Sequence, residues 1–256
     1  MTLDICTDRL RSDDPDRFGA VLTARPDDRA ALVTLYALNL EIARAPFQSA
    51  EPMLSEIRLQ WWADRLEEMG RGVAPPLHDV LTPLWEAWGD GAGQMVPLAH
   101  ARHRDCERQP FKNVDQVIEY VYKTASSLMS LAARRCGAPD STAEAVAQQA
   151  RGAGLTAWLR ALPQLQAMGL GLDGAPDDAP RELASHARDA FRAASHLRRK
   201  IPASAAAALY PGPRVSRLLS EIAAGRVDAY QDTPQVTPFQ RRASLARLAM
   251  TGRWWR

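Results

Sequence analysis

Residues 114–131 read Val-Asp-Gln-Val-Ile-Glu-Tyr-Val-Tyr-Lys-Thr-Ala-Ser-Ser-Leu-Met-Ser-Leu, and their pattern decides the fold class. Apolar side chains recur there at the 3-, 4- and 7-residue spacings that place them on one face of a helix. They are Val114, Val117, Ile118, Val121, Tyr122, Leu128 and Leu131. Asn113 is predicted to cap the helix at its N-terminus, and Gly137-Ala138-Pro139 is predicted to end it.

The same helical spacing extends over almost the whole chain. One helix is predicted to begin at Asp27 and Asp28, after Pro26, and to end at Pro46. A second covers residues 53–69, where an apolar face is expected to point inward. That face consists of Leu54, Ile57, Trp61, Trp62, Leu66 and Met69. Further helices are predicted at residues 77–88, 94–108, 141–162, 181–199, 203–209, 214–224 and 238–251.

Breaker residues mark the places where these helices should stop. Pro163 is expected to kink or end the helix at 141–162, because proline has no N–H and clashes with the preceding turn. Residues 169–180, rich in Gly, Pro and Asp, are predicted to form one long loop. No segment alternates polar and apolar residues as a strand would, so residues 1–256 are predicted to form a single all-α domain.

Composition excludes several classes of protein. The 256 residues are 46% hydrophobic and carry a net charge of +2, so neither a disordered chain nor an electrostatic nucleic-acid binder is expected. No apolar run is long enough for a membrane-spanning helix, and the first eight residues lack the features of a secretory signal. Cys6, Cys106 and Cys136 have no disulfide or zinc-site spacing and are predicted to be reduced thiols in the cytoplasm.

Common catalytic and metal-binding motifs are absent from the sequence. It contains no GxGxxG, GxxxxGK(S/T), GxSxG or HExxH. His100 and His103 stand three residues apart on a predicted helix, but neither a carboxylate nor a third imidazole accompanies them, so no metal is predicted. The arginines around them, Arg102, Arg104 and Arg108, are interpreted as a solvated face.

Two stretches resemble the squalene/phytoene synthase family. Residues 30–44, Ala-Ala-Leu-Val-Thr-Leu-Tyr-Ala-Leu-Asn-Leu-Glu-Ile-Ala-Arg, are similar to its first core helix, and residues 57–62, Ile-Arg-Leu-Gln-Trp-Trp, are similar to the next. Further matches in the same order are Ala101-Arg102 with Asp105, Tyr120 with residues 124–128, and residues 154–156 with Leu159-Arg160. The resemblance spans roughly residues 15–210 and implies an isoprenoid-synthase-type helical bundle around a central cavity.

Enzymes of this family condense two allylic diphosphates head to head. Two DxxxD motifs on facing helices hold about three Mg2+ ions, which stabilise the departing diphosphate. In this chain the aligned positions are Ala43 and Phe47 in the first motif and Ala161 and Leu165 in the second. The resemblance therefore implies a catalytically degenerate member, without the catalytic aspartates, without a metal and without a cofactor.

In lacking these aspartates the chain resembles a divergent branch of the family. Members of that branch assist the assembly of respiratory complex I at the inner membrane. That likeness implies a non-enzymatic assembly or binding factor, cytoplasmic and peripheral at the inner membrane face. Its partner would be a membrane-protein complex or an assembly intermediate, and its ligand an isoprenoid or a phospholipid. The alternative is an active head-to-head prenyltransferase that uses Mg2+, with Glu41, Asp64 or Glu68 as metal ligands.

Polar residues on the predicted inner helices are the candidates for binding a ligand in the cavity. They are Tyr36, Asn39, Glu41, Arg58, Gln60, Asp64, Arg151 and Arg160. The arginines could pair with an anionic head group, because a guanidinium suits phosphate. The alternative interpretations are a helix–helix hydrogen bond for Asn39 and Glu41, and surface salt bridges for the arginines.

The C-terminal stretch, residues 239–256, is predicted to be a basic helix that ends in tryptophans. Arg253, Trp254, Trp255 and Arg256 are the candidates for contact with an anionic membrane surface, where arginine and indole side chains partition well. The alternative is a last helix that closes the bundle.

Overall fold

The computed structural model describes residues 2–231 and 233–255. Over these ranges the chain forms thirteen α-helices and no β-strand, which confirms the predicted fold class. The helices are α1 (Thr2–Asp13), α2 (Pro15–Leu22), α3 (Pro26–Arg44), α4 (Pro52–Gly70), α5 (Leu81–Trp88), α6 (Val96–His100), α7 (His103–Cys106), α8 (Val114–Val121), α9 (Ser127–Arg135), α10 (Ala143–Ala167), α11 (Ala179–His196), α12 (Val215–Ala223) and α13 (Pro238–Thr251).

Helix α3 begins and ends close to where its sequence predicts. Pro26 stands at its first position, and Asp27 and Asp28 lie in its first turn, where carboxylates favour the positive end of the helix dipole. A 3-10 turn, Ala45–Phe47, follows the helix and contains Pro46. Most of α3 is buried, so the helix forms the centre of the bundle.

Helices α8 and α9 form the element predicted from residues 114–131, with one difference. The Asn113 side chain accepts a hydrogen bond from the backbone N–H of Gln116 (3.0 Å), which confirms the predicted cap. Between the two helices, Tyr122–Ser126 form a π-helical turn. Such a turn inserts an extra residue and rotates the helix face. Tyr122 is therefore 61% exposed, although it was expected on the inner face.

Helix α10 runs through Pro163, so the proline does not end the helix, which was one of the two outcomes predicted for it. The proline removes the hydrogen bond that a residue there would donate to the carbonyl of Leu159. Leu159 and Leu162, in the turn before the proline, are fully buried, and their packing holds the helix in place. Packing here outweighs a local penalty of about 3 kcal/mol, and α10 continues to Ala167.

The buried face of α4 differs from the predicted one. The exposed apolar residues are Met53, Leu54, Ile57 and Trp61. Apolar residues surround the first half of this helix, so spacing alone does not select its inner side. The hydroxyl of Ser55 is buried and donates to the carbonyl of Pro46 (2.9 Å), so the face of α4 that carries Ser55 is the inner one. Trp62, Leu66 and Met69 are buried, as predicted.

The predicted helix at 94–108 is divided into the short helices α6 and α7, and a 3-10 turn, Gly89–Met95, precedes them. This turn lies against α4 at a point where two glycines meet. A Cβ added to Gly93 would be 2.7 Å from the Cα of Gly70, so only glycine allows the approach. The segment at 203–209 forms only a short 3-10 turn, Ala203–Ala205.

Two hydrophobic clusters hold the helices together. The first gathers side chains mainly from α1, α3, α4, α5 and α9, and the second from α8, α10, α11 and α12. Leu128 of the first cluster and Phe111 and Trp158 of the second line a common cavity. The cavity therefore lies where the two clusters meet.

The C-terminal residues pack onto the bundle. Trp254 is 3% exposed and belongs to the first hydrophobic cluster, so it cannot offer its ring to a membrane while the bundle is intact. Its apolar ring closes the core instead. Trp255 is half-buried, with the guanidiniums of Arg198 and Arg253 each 5.8 Å from its ring centre. Arg256 lies outside the described residues. Within residues 2–231 and 233–255, no helix combines the length and apolar character needed to cross a membrane.

Candidate functional site

The central cavity has a volume of about 360 Å³. Helices α3, α8 and α10 build most of its wall, together with the loop before α8 and the loop after α10. These loops are tied to each other: the N–H of Phe111 donates to the carbonyl of Gly171 (2.7 Å), and the N–H of Asp173 donates to the carbonyl of Phe111 (2.9 Å). Much of the wall is apolar, and four arginines lie among the apolar residues.

The four positions that the family resemblance assigns to the aspartates all line this cavity. Ala43 and Phe47 come from α3 and the turn after it, and Ala161 and Leu165 come from α10. The two pairs thus face one space, as the resemblance implies for the two motifs. None of the four side chains carries an oxygen or nitrogen atom, so none can bind a cation or make a hydrogen bond.

Asp105 is the one carboxylate on the wall among the residues that the structure describes, and it is already engaged. Its Oδ2 accepts hydrogen bonds from the hydroxyl of Tyr120 (2.8 Å) and from Nη1 of Arg102 (3.2 Å). Arg102 also donates to the Tyr120 oxygen (2.5 Å). Burial raises the pKa of Tyr120, so its phenol stays protonated and donates to Asp105. The three groups satisfy one another.

This set of donors does not suit a group of Mg2+ ions. Mg2+ is held by carboxylates that leave room for its waters, whereas the one carboxylate that the described residues place on this wall is paired with a guanidinium. The other wall arginines, Arg17, Arg104 and Arg108, would repel a divalent cation. Elsewhere in the described ranges, no three His, Cys, Asp or Glu residues come together in a way that could hold a metal.

Arg104 and Arg108 are fixed by the chain around them. The Arg104 guanidinium stacks over the ring of Phe111, 3.6 Å from its centre, and donates to two carbonyls of the same loop. Arg108 has a positive φ of 52° and donates to the carbonyl of Ser49. Guanidiniums held in this way can bind an anionic head group, while the apolar wall accepts a hydrocarbon tail.

Trp158 adds an unused hydrogen-bond donor to the wall. Its side chain is 6% exposed and packs edge-on against Phe111, with 5.6 Å between the ring centres. The indole N–H has no hydrogen-bond partner in the part of the chain that the structure describes. Leaving such a group buried and unpaired costs free energy. An acceptor atom on a bound ligand would recover this cost.

A smaller cavity of about 180 Å³ adjoins the first and shares Arg17 with it. Tyr36 and Arg160 line this second space, and Arg160 donates to the carbonyl of Pro213 (2.5 Å). Burial lowers the pKa of Arg160, against the attraction of the nearby Asp16 carboxylate. Burial also raises the pKa of Tyr36, which keeps its phenol neutral.

Three of the predicted ligand-binding residues line these cavities. Asn39 lies in the first cavity, and Tyr36 and Arg160 lie in the second. They have this position because α3 and α10 pass between the two hydrophobic clusters. All three were predicted from their place on inner helix faces.

The other five predicted residues lie outside both cavities. Glu41 stands on the opposite side of α3 from Asn39 and pairs with Arg9 of α1 (2.8 Å). On α4, Gln60 donates to Asp64 (2.7 Å) on the surface. These positions correct the expectation of a shared cavity, because α4 packs through its other face.

Arg58, Arg151 and Glu68 also do not lie where they were predicted. Arg58 and Arg151 are partly buried, each with one buried guanidinium nitrogen unpaired, but neither lines a cavity wall. Glu68 pairs with Arg65 (2.8 Å). The acids proposed as alternative Mg2+ ligands, Glu41, Asp64 and Glu68, therefore do not meet at one site.

The sequence interpretation missed the wall residues that carry most of the charge. Arg102, Arg104 and Arg108 were expected to form a solvated face, yet all three line the cavity. The break between α6 and α7 turns this segment inward. In the sequence, only the resemblance of Ala101-Arg102 with Asp105 to the family indicated that this segment contributes to the cavity.

The fold, the central cavity and the paired positions on α3 and α10 define an isoprenoid-synthase-type protein. The profile of the squalene/phytoene synthase family matches residues 10–170, more than half of the chain, and the chain belongs to this family. Among solved structures it is similar to a ligand-bound dehydrosqualene synthase, with a TM-score of 0.78 and 12% identity over 97% of this chain and 95% of that one. It is also similar to the squalene synthase HpnC of Alicyclobacillus acidocaldarius, with a TM-score of 0.64 and 16% identity over 98% and 94% of the two chains.

Among curated proteins, the chain is similar to NADH dehydrogenase (ubiquinone) complex I, assembly factor 6, of Homo sapiens. The two are 24% identical over 168 residues, which cover 62% of this chain and 48% of the human protein. The chain thus spans about half the length of the curated relatives that it matches.

Proposed function

We propose that this protein is a non-enzymatic member of the squalene/phytoene synthase family that acts in the assembly of respiratory complex I. In this proposal its central cavity binds an anionic isoprenoid or phospholipid and leaves it chemically unchanged. The protein acts at the inner membrane face, where it meets a membrane-protein complex or one of its assembly intermediates.

One observation carries the proposal: Ala43, Phe47, Ala161 and Leu165 all line the same cavity. Ionisation of an allylic diphosphate by the family's mechanism needs metal ions held at these positions. Without carboxylates there, no Mg2+ ions are held against the diphosphate, so a bound allylic diphosphate would keep its C–O bond. The cavity can still bind such a molecule, since binding needs only the arginines and the apolar wall.

The assembly role rests on the likeness to complex I assembly factor 6. It is tested by deleting the gene in its own host and measuring assembled complex I on native gels. We expect less assembled complex in the deletion strain and full recovery with the wild-type gene. Unchanged amounts of complex I after deletion would contradict the assembly role.

The role of the cavity is tested in the same strain with two matched variants. Ala161→Trp fills the cavity, whereas Ala167→Trp adds the same side chain at an exposed position of the same helix. We expect only the second variant to restore complex I. Thermal unfolding of both purified proteins controls for loss of the fold. Equal recovery by two folded variants would show that assembly does not need the cavity.

The ligand is tested by native mass spectrometry of the protein purified in EDTA. We expect a copurified anionic lipid in the wild type and less of it in Arg104→Gln, which removes the ordered guanidinium over Phe111. An apolar lipid without a phosphate group, or equal loading of both proteins, would contradict the proposed recognition.

A further inference from the structure

A groove between α11 and α12 has no part in the cavities described above. Its volume is about 360 Å³. One wall is a single face of α11, on which Arg188, Arg192, Ser195 and His196 recur at helical spacing. The other wall is α12, with Ser216 and Ser220 one turn apart. Arg198 lies beyond the end of α11 and completes the lining.

The charged side chains that line this groove are all basic. Three guanidiniums and one imidazole line it, and no carboxylate is among the described residues of its wall. The nearest acid on the same helix is Asp189, which pairs with Arg192 (2.9 Å) on the exposed side. Arg188 makes no ion pair with any described residue. The groove therefore keeps a net positive charge.

The donors are partly held in place before anything binds. Arg198 donates to the carbonyl of Ser195 (2.8 Å) and lies against the ring of Trp255. The floor is formed by Phe191 and Leu219, which are almost fully buried and fix the two helices against each other. Fixed donors lose little conformational freedom on binding, which favours affinity.

The hydroxyl groups identify the kind of anion. Ser195, Ser216 and Ser220 add three neutral donors to the three guanidiniums. A phosphate group presents more oxygen atoms to these donors than a carboxylate does, so we expect the groove to prefer a phosphate.

We propose that the groove between α11 and α12 binds a phosphate group, carried by a small phosphorylated molecule or by a lipid head group. This site is separate from the central cavity and does not depend on the proposed function. The guanidiniums of Arg188 and Arg198 supply the net charge, Arg192 adds N–H donors beside its ion pair with Asp189, and the serine hydroxyls orient the phosphate oxygens.

The proposal is tested by arginine footprinting of the full chain with phenylglyoxal, read residue by residue by mass spectrometry. The probes are inorganic pyrophosphate, and phosphatidylcholine vesicles with and without phosphatidic acid. We expect the probe to slow the modification of Arg188 and Arg192. Arg217 is the matched control, because it lies on α12 outside the groove and is paired with Glu221 (2.7 Å).

The source of the phosphate group follows from which probe protects the groove. Protection by pyrophosphate supports a soluble ligand, and protection only by vesicles that contain phosphatidic acid supports a lipid head group. Protection by neither probe overturns the proposal. Equal protection of Arg217 also overturns it, because the effect would then be general charge screening.

A serine variant separates a built site from a merely basic surface. Ser216→Ala with Ser220→Ala leaves every charge in place and changes two side chains on the surface, so the protein should stay folded. We expect about tenfold weaker protection of Arg188, the loss expected for two hydrogen bonds. Unchanged protection would overturn the assignment of the hydroxyl groups as ligands.

Discussion

Ala43 of α3 and Ala161 of α10 line the same cavity, and neither methyl group can hold a metal ion or make a hydrogen bond. The one described carboxylate on that wall, Asp105, is satisfied by Tyr120 and Arg102. The remaining polar chemistry is that of arginines and of the unpaired indole N–H of Trp158. We therefore expect this wall to prefer an anion to a cation.

Restoring the four carboxylates should create a cation site. The variant carries Ala43→Asp, Phe47→Asp, Ala161→Asp and Leu165→Asp. Because these positions share one cavity wall, their carboxylates can hold Mg2+ between them. Isothermal titration calorimetry should show saturable Mg2+ binding in this variant and none in the wild type.

The matched control carries only Ala43→Asp and Phe47→Asp, and it should bind Mg2+ at least about tenfold more weakly than the full variant, since fewer carboxylates share the ion. Saturable binding of equal strength in the wild type and the full variant would contradict the interpretation of the cavity.

Asp105, Tyr120 and Arg102, which are hydrogen-bonded to one another on the cavity wall, should contribute jointly to the free energy of unfolding. Tyr120→Phe removes the hydroxyl that bridges Asp105 and Arg102 and should lower the free energy of unfolding by about 1–2 kcal/mol. Asp105→Asn leaves Arg102 without its ion pair and should cost about 2–4 kcal/mol. Urea denaturation measures both. The double variant should lose less than the sum by at least about 0.5 kcal/mol, and strictly additive losses would contradict the coupling.

The two faces of α4 should respond differently to substitution. Ile57 is 58% exposed, so Ile57→Ser should change the free energy of unfolding by less than about 0.5 kcal/mol. Leu59 is fully buried, so Leu59→Ala should lower it by about 2–5 kcal/mol. Thermal and urea unfolding of the two variants checks this difference. A larger loss for Ile57→Ser than for Leu59→Ala would mean that the helix is turned the other way.

The buried thiols should make the protein less stable at high pH. Burial raises the pKa of Cys6, Cys106 and Cys136 from 9.0 to about 11. Between these values the unfolded chain loses thiol protons that the folded chain keeps, so the free energy of unfolding falls as pH rises. The contribution of the thiols is complete below pH 9 and is lost by about pH 11.

Urea denaturation across this pH range measures the effect, which should be at most about 2.7 kcal/mol for each thiol, the equivalent of two pKa units. The control replaces the three cysteines by alanine and keeps every other titrating group. Its free energy of unfolding should fall less steeply with pH. Parallel curves for the two proteins would show that the thiols do not contribute.

Local signals in the sequence predict a large part of the fold. The start of α3 and the cap of α8 follow from Pro26 and Asn113, because capping depends on a few neighbouring residues. Local signals do not predict whether the helix ends at Pro163, because that depends on the packing of Leu159 and Leu162. The inner side of α4 likewise depends on a contact outside the helix, between Ser55 and the carbonyl of Pro46.

The candidate site could be predicted in part. Counting along the resemblance identified Ala43 and Ala161, and the structure brings both to one wall. Arg104 and Arg108 were missed, because the break between α6 and α7 directs them inward and leaves no periodic pattern. The sequence did not predict the groove between α11 and α12 for a different reason: it is formed by two helices that are separated in sequence.

The most direct test of the account is diphosphate release from farnesyl and geranylgeranyl diphosphate, measured with Mg2+ and with EDTA. An active phytoene synthase in the same buffer is the positive control. We expect no release above the rate without protein, at saturating substrate and under both conditions, because Ala43, Phe47, Ala161 and Leu165 give the cavity wall no carboxylates for Mg2+. Magnesium-dependent release by the wild-type protein would contradict this expectation, and a coupled C30 or C40 product beside it would make the protein a prenyltransferase.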